Sequence, residues 1–378
     1  MNDDLLKPLI APDFFLCTSP EMDALERAAA DGKHGLHYVT EPQTPARVHQ
    51  IAGASHFVRL EGESGEEETE ASAKLEALSG AQDADATLAF LYISHLLAPP
   101  APLPANATAV GWIDFDDVIA KIGWNPRSTA ERQEMRARLY NFVLFAERAQ
   151  VIGERSVKYF DKSTGAEIDT KIRAALWRIS KTQMPDQGTL FPESRVPVRV
   201  EVMIAREWAQ LLTQPATAQY LPMGELLGNI PGNKPSGAWA RVLGLSLASF
   251  WRRQPKAALD GSIQPTRREL LERYPPKTGA VAEVLDGPNP QYAITYWCGA
   301  LQILVECGFL KAEGEAITTP DEMREALPRQ GWADQWLNTR TLLQPGTAFG
   351  ETIVQRAAAL PAPTTPKKKR GRPRKQAG

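Results

Sequence analysis

The chain has 378 residues, 43% of them hydrophobic, and a formal net charge of −2 at pH 7, enough apolar side chain for two or three buried cores. No run of about 18 uncharged apolar residues marks a membrane span, and Met1-Asn2-Asp3-Asp4 lacks the basic start of a secretory signal, so a cytoplasmic protein with no membrane partner is expected. Three scattered cysteines, Cys17, Cys298 and Cys307, exclude a disulfide framework and a Cys-x-x-Cys metal pair.

The near-neutral total conceals a segregation by region. Residues 1–110 carry 6 basic and 17 acidic side chains, 111–275 carry 24 and 18, 276–351 carry 5 and 10, and 352–378 carry 8 and 0. A basic middle and a basic end point to a polyanion partner, with the acidic head competing for the same surface.

Residues 1–82 read as an N-terminal extension. Its run Glu61-Gly-Glu-Ser-Gly-Glu66-Glu67-Glu68-Thr-Glu70 is too charged to pack and makes 61–82 a flexible acidic linker. His34, His37, His49 and His56 have no Cys or acidic ligand at fitting spacing; they read as surface histidines, and neither metal nor cofactor is expected. Apolar on nearly every side, 86–98 reads as a buried helix ended by the prolines of 99–104. A short strand over 110–113 leads to Asp114, the N-cap of a helix over 115–122 that stops at Gly123. After a turn over 123–128, a longer helix spans 129–150. Met135, Leu139, Phe142, Val143 and Ala146 form its apolar stripe, and Gln133, Arg136, Arg138, Tyr140, Asn141 and Arg148 lie on the flanks and opposite face. This is a helix-turn-helix arrangement. A strand over 151–160, a turn over 161–165 and a return strand over 169–179 then make a hairpin with Lys171, Arg173 and Arg178 interleaved among apolar residues. Helix-turn-helix followed by basic hairpin is the order of a winged helix, assigned to 86–181.

A polar connector over 182–194 separates a second unit, 195–319. It begins with a strand over 196–204 and a short helix over 205–213, followed by a Gly/Pro/Asn-rich loop. A long helix over 236–253 ends in Arg252 and Arg253, and a short one over 265–274, capped by Thr266, bears Arg267, Arg268 and Arg273. The next helix, 289–307, buries Ala293, Trp297, Ala300, Leu301 and Leu304 and turns Gln291, Tyr292, Thr295, Gln302 and Glu306 outward, a face suited to base edges, a dimer contact or plain solvent. A two-stranded wing is expected over 308–319, C-terminal helices over 320–345 and a disordered basic tail over 346–378. The expected fold class is mainly α with small β-hairpin wings (α+β), two winged-helix domains in tandem. The competing architecture is one larger α-rich domain.

The tail ends Lys367-Lys368-Lys369-Arg370-Gly371-Arg372-Pro373-Arg374-Lys375, seven cations in nine positions with no acid. Its core resembles an AT-hook, in which the glycine lets the backbone approach the floor of a narrow A·T-rich minor groove and the arginines extend along it. The same run fits a solvated basic tail or an import signal. Catalytic constellations are missing. Gly228-Asn-Ile-Pro-Gly232-Asn-Lys234-Pro-Ser236 resembles a phosphate-binding loop, but its glycine spacing is short and Pro235 removes an N–H the cradle needs. Tyr292 and Tyr296 have no His-hydrophobe-His pair to make them nickase nucleophiles, and no Gly-x-Ser-x-Gly elbow occurs. A non-enzymatic binder of double-stranded DNA is expected, with no catalytic residues.

In element order over 86–319, and in the segments Gly111-Trp-Ile-Asp-Phe-Asp-Asp-Val-Ile-Ala-Lys-Ile-Gly-Trp124 and Tyr296-Trp-Cys-Gly-Ala-Leu-Gln-Ile-Leu-Val-Glu-Cys-Gly-Phe-Leu310, the chain resembles plasmid replication initiators built from two winged-helix domains. The resemblance implies binding to origin repeats, melting of adjacent A·T-rich DNA, recruitment of host helicase and a monomer–homodimer switch in which dimers repress. The acidic head and hook-like tail depart from that pattern, as does the absence of basic residues on the second recognition helix. The expected function is therefore replication initiation on a plasmid or similar element, the alternative a transcriptional or nucleoid-organising regulator using the same DNA contacts.

Overall fold

The computed structural model describes residues 15–16, 28, 38–40, 46–49, 56–61, 88–89, 92–93, 109–153, 157–161, 166–170, 173–175, 177–185, 196–204, 220–221, 227–274, 280–347 and 350. These form helices and small antiparallel sheets, an α+β composition. Four strands come first: β1 (Phe15–Leu16), β2 (Tyr38–Thr40), β3 (Ala46–His49) and β4 (His56–Glu61). Leu88, Ala89 and Ile93 are helical and buried, as the all-round apolar pattern of 86–98 requires.

β5 (Ala109–Asp114), α1 (Phe115–Lys121) and α2 (Thr129–Arg148) follow at the expected places. Asp114 Oδ1 accepts the N–H groups of Asp116 at 3.0 Å and Asp117 at 3.3 Å, two of the donors a helix start leaves orphaned. Gly123, at φ 71°, turns the chain out of α1, and Ser128 Oγ takes the Glu131 N–H at 3.1 Å to start α2. Leu139, Phe142, Val143 and Ala146 are buried on the inner stripe of α2.

Then come β6 (Ala149–Gly153), β7 (Val157–Asp161), β8 (Ala166–Thr170), β9 (Arg173–Ala175), β10 (Trp177–Gln183) and β11 (Arg199–Ile204), with β12 (Tyr220–Leu221) paired to β1. β7 and β8 pair around the expected turn, from Val157↔Thr170 to Asp161↔Ala166. The single hairpin expected over 151–179 is nevertheless divided. β6 and β9 belong to a five-stranded sheet in the order β2-β3-β4-β6-β9, and β10 leaves for a separate sheet, β10-β11-β5. Two assignments made from sequence are corrected here. The N-terminal extension supplies three strands of the five-stranded sheet besides β1, with Val58 and Leu60 of β4 buried and Phe57 opposite Ile152; 62–82 of the expected linker lies outside the described residues. Strand 196–204 does not open the second unit. It is the central strand of the first unit's sheet, Val200↔Ile113 on one side and Val200↔Thr182 on the other, so 182–194 joins two strands of one sheet. The inner face of that sheet, Ile113, Trp177, Val200, Val202 and Ile204, is buried. Trp177 Nε1 ties it to α2 by donating to the Val143 carbonyl at 3.0 Å.

Past 227 the described chain is helical: α3 (Pro235–Arg253), α4 (Pro255–Leu259), α5 (Arg267–Glu272), α6 (Val281–Leu285), α7 (Tyr292–Glu306), a 3-10 turn (Gly314–Ile317), α8 (Pro320–Glu325) and α9 (Trp332–Asn338). Thr266 and Glu269 form a reciprocal capping box at α5, and α7 buries its expected stripe. α3 and α7 lie so close that a Cβ on Gly299 would meet Ser236 Oγ at 2.7 Å. The wing expected over 308–319 is absent. Leu310 bridges Pro345 instead, the Lys311 N–H donates to the Gln344 carbonyl at 3.1 Å, and the Thr341 N–H donates to Pro265 at 2.9 Å. Segment 339–346 therefore meets 265–267 at its start and 309–311 at its end, with α8 and α9 filling the connection. The short helix expected over 205–213 lies outside the described residues.

The parts of the chain before 204 and after 227 share one buried core and meet at a clasp. A Cβ on Gly123 would collide with the Gly228 carbonyl, and the fully buried Arg241 donates through Nε to the Ile230 carbonyl at 2.9 Å.

Candidate nucleic-acid interface

α2 presents the side chains best placed to meet a ligand. Its inner stripe is fixed by the sheet, so the residues half a turn away, Ala130, Glu134 and Asn141, are exposed, and Gln133, Ala137 and Arg138 are half-buried beside them. The Arg138 guanidinium lies 4.9 Å from the centre of the Trp124 ring, an arrangement that orients a planar donor. Lys121, Asn125, Arg127 and Arg132 are exposed around the turn and the start of α2.

Arg136 is different from its neighbours. It grips Asp116 of α1 with two hydrogen bonds, Nε to Oδ1 at 2.9 Å and Nη2 to Oδ2, and its side chain is only 15% exposed. This pair braces α1 against α2. The hydrogen bond from Arg136, with the nearby charge of Arg136 and Arg132, holds the Asp116 carboxyl below the usual aspartate range although partial burial opposes it. The expected DNA contact by Arg136 is thus replaced by an internal one.

The second unit departs further from expectation. Arg267 is buried: Nε donates to Glu315 at 2.8 Å and Nη1 to the Trp336 carbonyl at 2.9 Å, with the edge-to-face rings of Trp297 and Trp336 beside it. Glu315 also accepts from Trp297 Nε1 at 2.9 Å. Arg268 is half-exposed but bound to Glu272 at 2.9 Å and Asp334 at 3.4 Å. Neither guanidinium is held out to a phosphate, because the later segment 314–338 folds back over α5 and α7 and supplies carboxylates. On α7, Thr295 accepts from Arg324 of α8 at 2.7 Å and Gln302 donates to Glu306 at 2.9 Å, so much of the outward face serves neighbours. Tyr292 remains exposed and stacks on Tyr296, centroids 5.9 Å apart. Arg252 and Arg253 lie at the end of α3, and Arg173 on β9. Lys171 and the tail residues Lys367, Lys368, Lys369, Arg370, Gly371, Arg372, Pro373, Arg374 and Lys375 lie outside the described residues.

The glycine-rich loop 228–232 has the polarity opposite to a phosphate cradle. Its carbonyls at Gly228 and Ile230 receive the Arg241 guanidinium. Among the described residues no group of three or more His, Cys, Asp or Glu side chains is placed to hold a metal, and no helix is long and apolar enough to cross a membrane. Burial pushes the Cys298 thiol up to about 11, so it stays protonated at neutral pH.

One surface has no counterpart among the residues singled out from sequence. The outer face of β10-β11-β5 carries Val110, Trp112 and Met203, 54%, 43% and 38% exposed, and the Arg199 guanidinium sits 4.8 Å over the Trp112 ring. The strict alternation of 199–204 was its signal, half apolar inward and half mixed outward. Comparison with protein-family models, with curated proteins and with solved structures finds no match for this chain.

Proposed function

We infer that this is a sequence-specific DNA-binding protein in which α2 reads the major groove, the basic C-terminal segment lies along A·T-rich minor groove, and binding initiates replication of a plasmid or similar element. The observation that carries the reading is the outward stripe of α2, which offers Gln133, Arg138 and Asn141 on a helix braced from behind. Asn and Gln match the adenine edge bidentately, Arg matches guanine, and the Ala137 methyl suits a thymine methyl. Lys121, Arg127 and Arg132 flank the stripe as phosphate contacts, which set register rather than sequence.

The order β5, α1, α2, β10, β11, with β11 between its partners, supports a winged helix in the first unit. The same order in miniature, 265–267, α5, α7, 309–311 and 339–346, supports a second one. With Thr295 of α7 tied to Arg324 of α8, and Arg267 and Arg268 held by carboxylates, the first unit dominates base recognition and the second braces it. Host helicase and a second copy of the chain are the partners this role implies. The regulator reading is favoured by one feature, the acidic head joined to a hook-like tail, which initiators of this pattern lack.

Footprinting on the replicon that encodes the protein tests both readings. Directly repeated protected sites beside the coding region support initiation, and an inverted repeat over a promoter supports regulation. Replacing Arg138 and Asn141 by alanine should relax discrimination at the protected bases by about 1–3 kcal/mol for each lost contact. Uniform weakening on all sequences would reassign α2 to phosphate contact.

A further inference from the structure

We propose that the outer face of the three-stranded sheet β10-β11-β5 binds an unpaired nucleic-acid strand, with Trp112 and Arg199 as a stacking platform for its bases and Arg178 and Lys181 beside its phosphates. The face points away from α2, because the opposite side of the same strands packs on Val143 through Trp177. A duplex on α2 leaves it uncovered, and the proposal does not depend on α2 reading a duplex.

Register sets out the surface in three cross-strand rows. Val110, Met203 and Arg178 form one, Trp112, Glu201 and Lys181 the next, and Asp114, Arg199 and Gln183 the third. Arg199 reaches diagonally from the third row onto the Trp112 indole, and its Nε donates to the Gln183 side chain, which fixes the guanidinium plane. Two stacked planes, one aromatic and one cationic, thus lie on an otherwise open face. Three cations meet one central carboxylate, Glu201, and that group is committed: Lys181 Nζ donates to it at 3.1 Å and Ser180 Oγ at 2.8 Å. Asp114, at the margin, is occupied in capping α1.

This chemistry selects an occupant. Bases inside a duplex have both faces stacked and offer nothing to an indole lying on a flat sheet, whereas unpaired bases expose their π-faces and pack on aromatic rings or guanidinium planes. The net positive charge fits the strand's phosphates.

The test uses the full chain and a fluorescein-labelled oligothymidylate, with an A·T-rich duplex as the second probe, followed by anisotropy. Trp112→Ala should weaken oligothymidylate binding about tenfold and Trp112→Phe should retain most of it, with duplex affinity unchanged. Arg178→Glu, at an exposed position that leaves the core intact, should weaken the same probe. Iododeoxyuridine in the oligonucleotide should photo-crosslink to Trp112. Unaltered oligothymidylate binding by both variants would overturn the proposal, as would an equal loss on both probes. A change in sedimentation of DNA-free Trp112→Ala without any change in oligothymidylate binding would overturn it in favour of a contact between copies. If the wild-type chain binds no duplex but holds oligothymidylate through Trp112, the reading of α2 fails and this one stands.

Discussion

Arg267 lies beside the edge-to-face pair of Trp297 and Trp336, 5.6 and 5.5 Å from their centres, and makes its hydrogen bonds to Glu315 and a backbone carbonyl. A charge count along the sequence scores it as a cation available to DNA. In the fold it is the bolt that fastens 314–338 to α5 and α7. Removing it strands Glu315 in a poorly solvated site, so Arg267→Ala should cost about 3–5 kcal/mol in urea unfolding. DNA affinity of the folded fraction should be unchanged. If binding fell while stability held, Arg267 would be a DNA contact after all. Arg138 is the opposite case. The Trp124 ring, 4.9 Å from its guanidinium, restrains it at the surface of α2, where the proposed reading has it meet a base. Sequence distinguishes neither arginine from the other, because the partners come from segments distant in the chain.

α1 and α2 were legible in the sequence nearly to the residue, since caps, stops and the 3.6-residue stripe are all local. What joins them is the Asp116–Arg136 pair, and it has a pH signature. The Asp116 carboxyl titrates below the usual aspartate value in the fold, so its contribution is complete above that value and is lost as the pH falls through the lowered one. Asp116→Asn should cost about 0.5–1 kcal/mol at neutral pH, modest because the carboxylate is partly solvated. Unfolding measured across acidic pH should show the gap to wild type closing as the pH falls below the ordinary aspartate range. A gap that stays constant would assign the effect to packing instead. Strands were legible as strands but not as members of a sheet. The alternation of 199–204 identifies β11, yet its partners are β10 across a long connection and β5 far back in the chain. For the same reason 308–319 passed for a wing. Gly308 and Gly314, both at positive φ, signal turns, but the strand that pairs with Leu310 arrives only after α8 and α9. The three strands from 38–61 lacked any local cue, being short and followed by a highly acidic run. At the candidate site, residue types on α2 were readable, whereas Trp112 and Arg199 become neighbours only through cross-strand register.

Across the whole molecule, on the DNA-binding reading proposed above, charge is distributed so that affinity and specificity would reside in different parts. The described units have spent many of their cations internally: Arg136 on Asp116, Arg267 on Glu315, Arg268 on Glu272 and Asp334, Arg324 on Asp321. The stretch 367–375 has seven cations and no acid to spend them on. Non-specific attraction should therefore come mainly from the tail, and discrimination from α2. Each phosphate contact releases condensed counterions and steepens the dependence of log K on log salt by about 0.9. Arg370→Ala with Arg372→Ala should weaken binding to A·T-rich duplex and flatten that slope by about 1–2. Preference among specific sites should persist in this variant, because the proposed base contacts lie on α2. Measuring the slope on an A·T-rich and a G·C-rich duplex separates two mechanisms. A loss confined to the A·T-rich duplex means that the arginines lie in a narrow minor groove, and an equal loss on both means that the tail acts only as a cationic tether. An unchanged slope on both would remove the tail from the interface and return the electrostatic role to Lys121, Arg127 and Arg132.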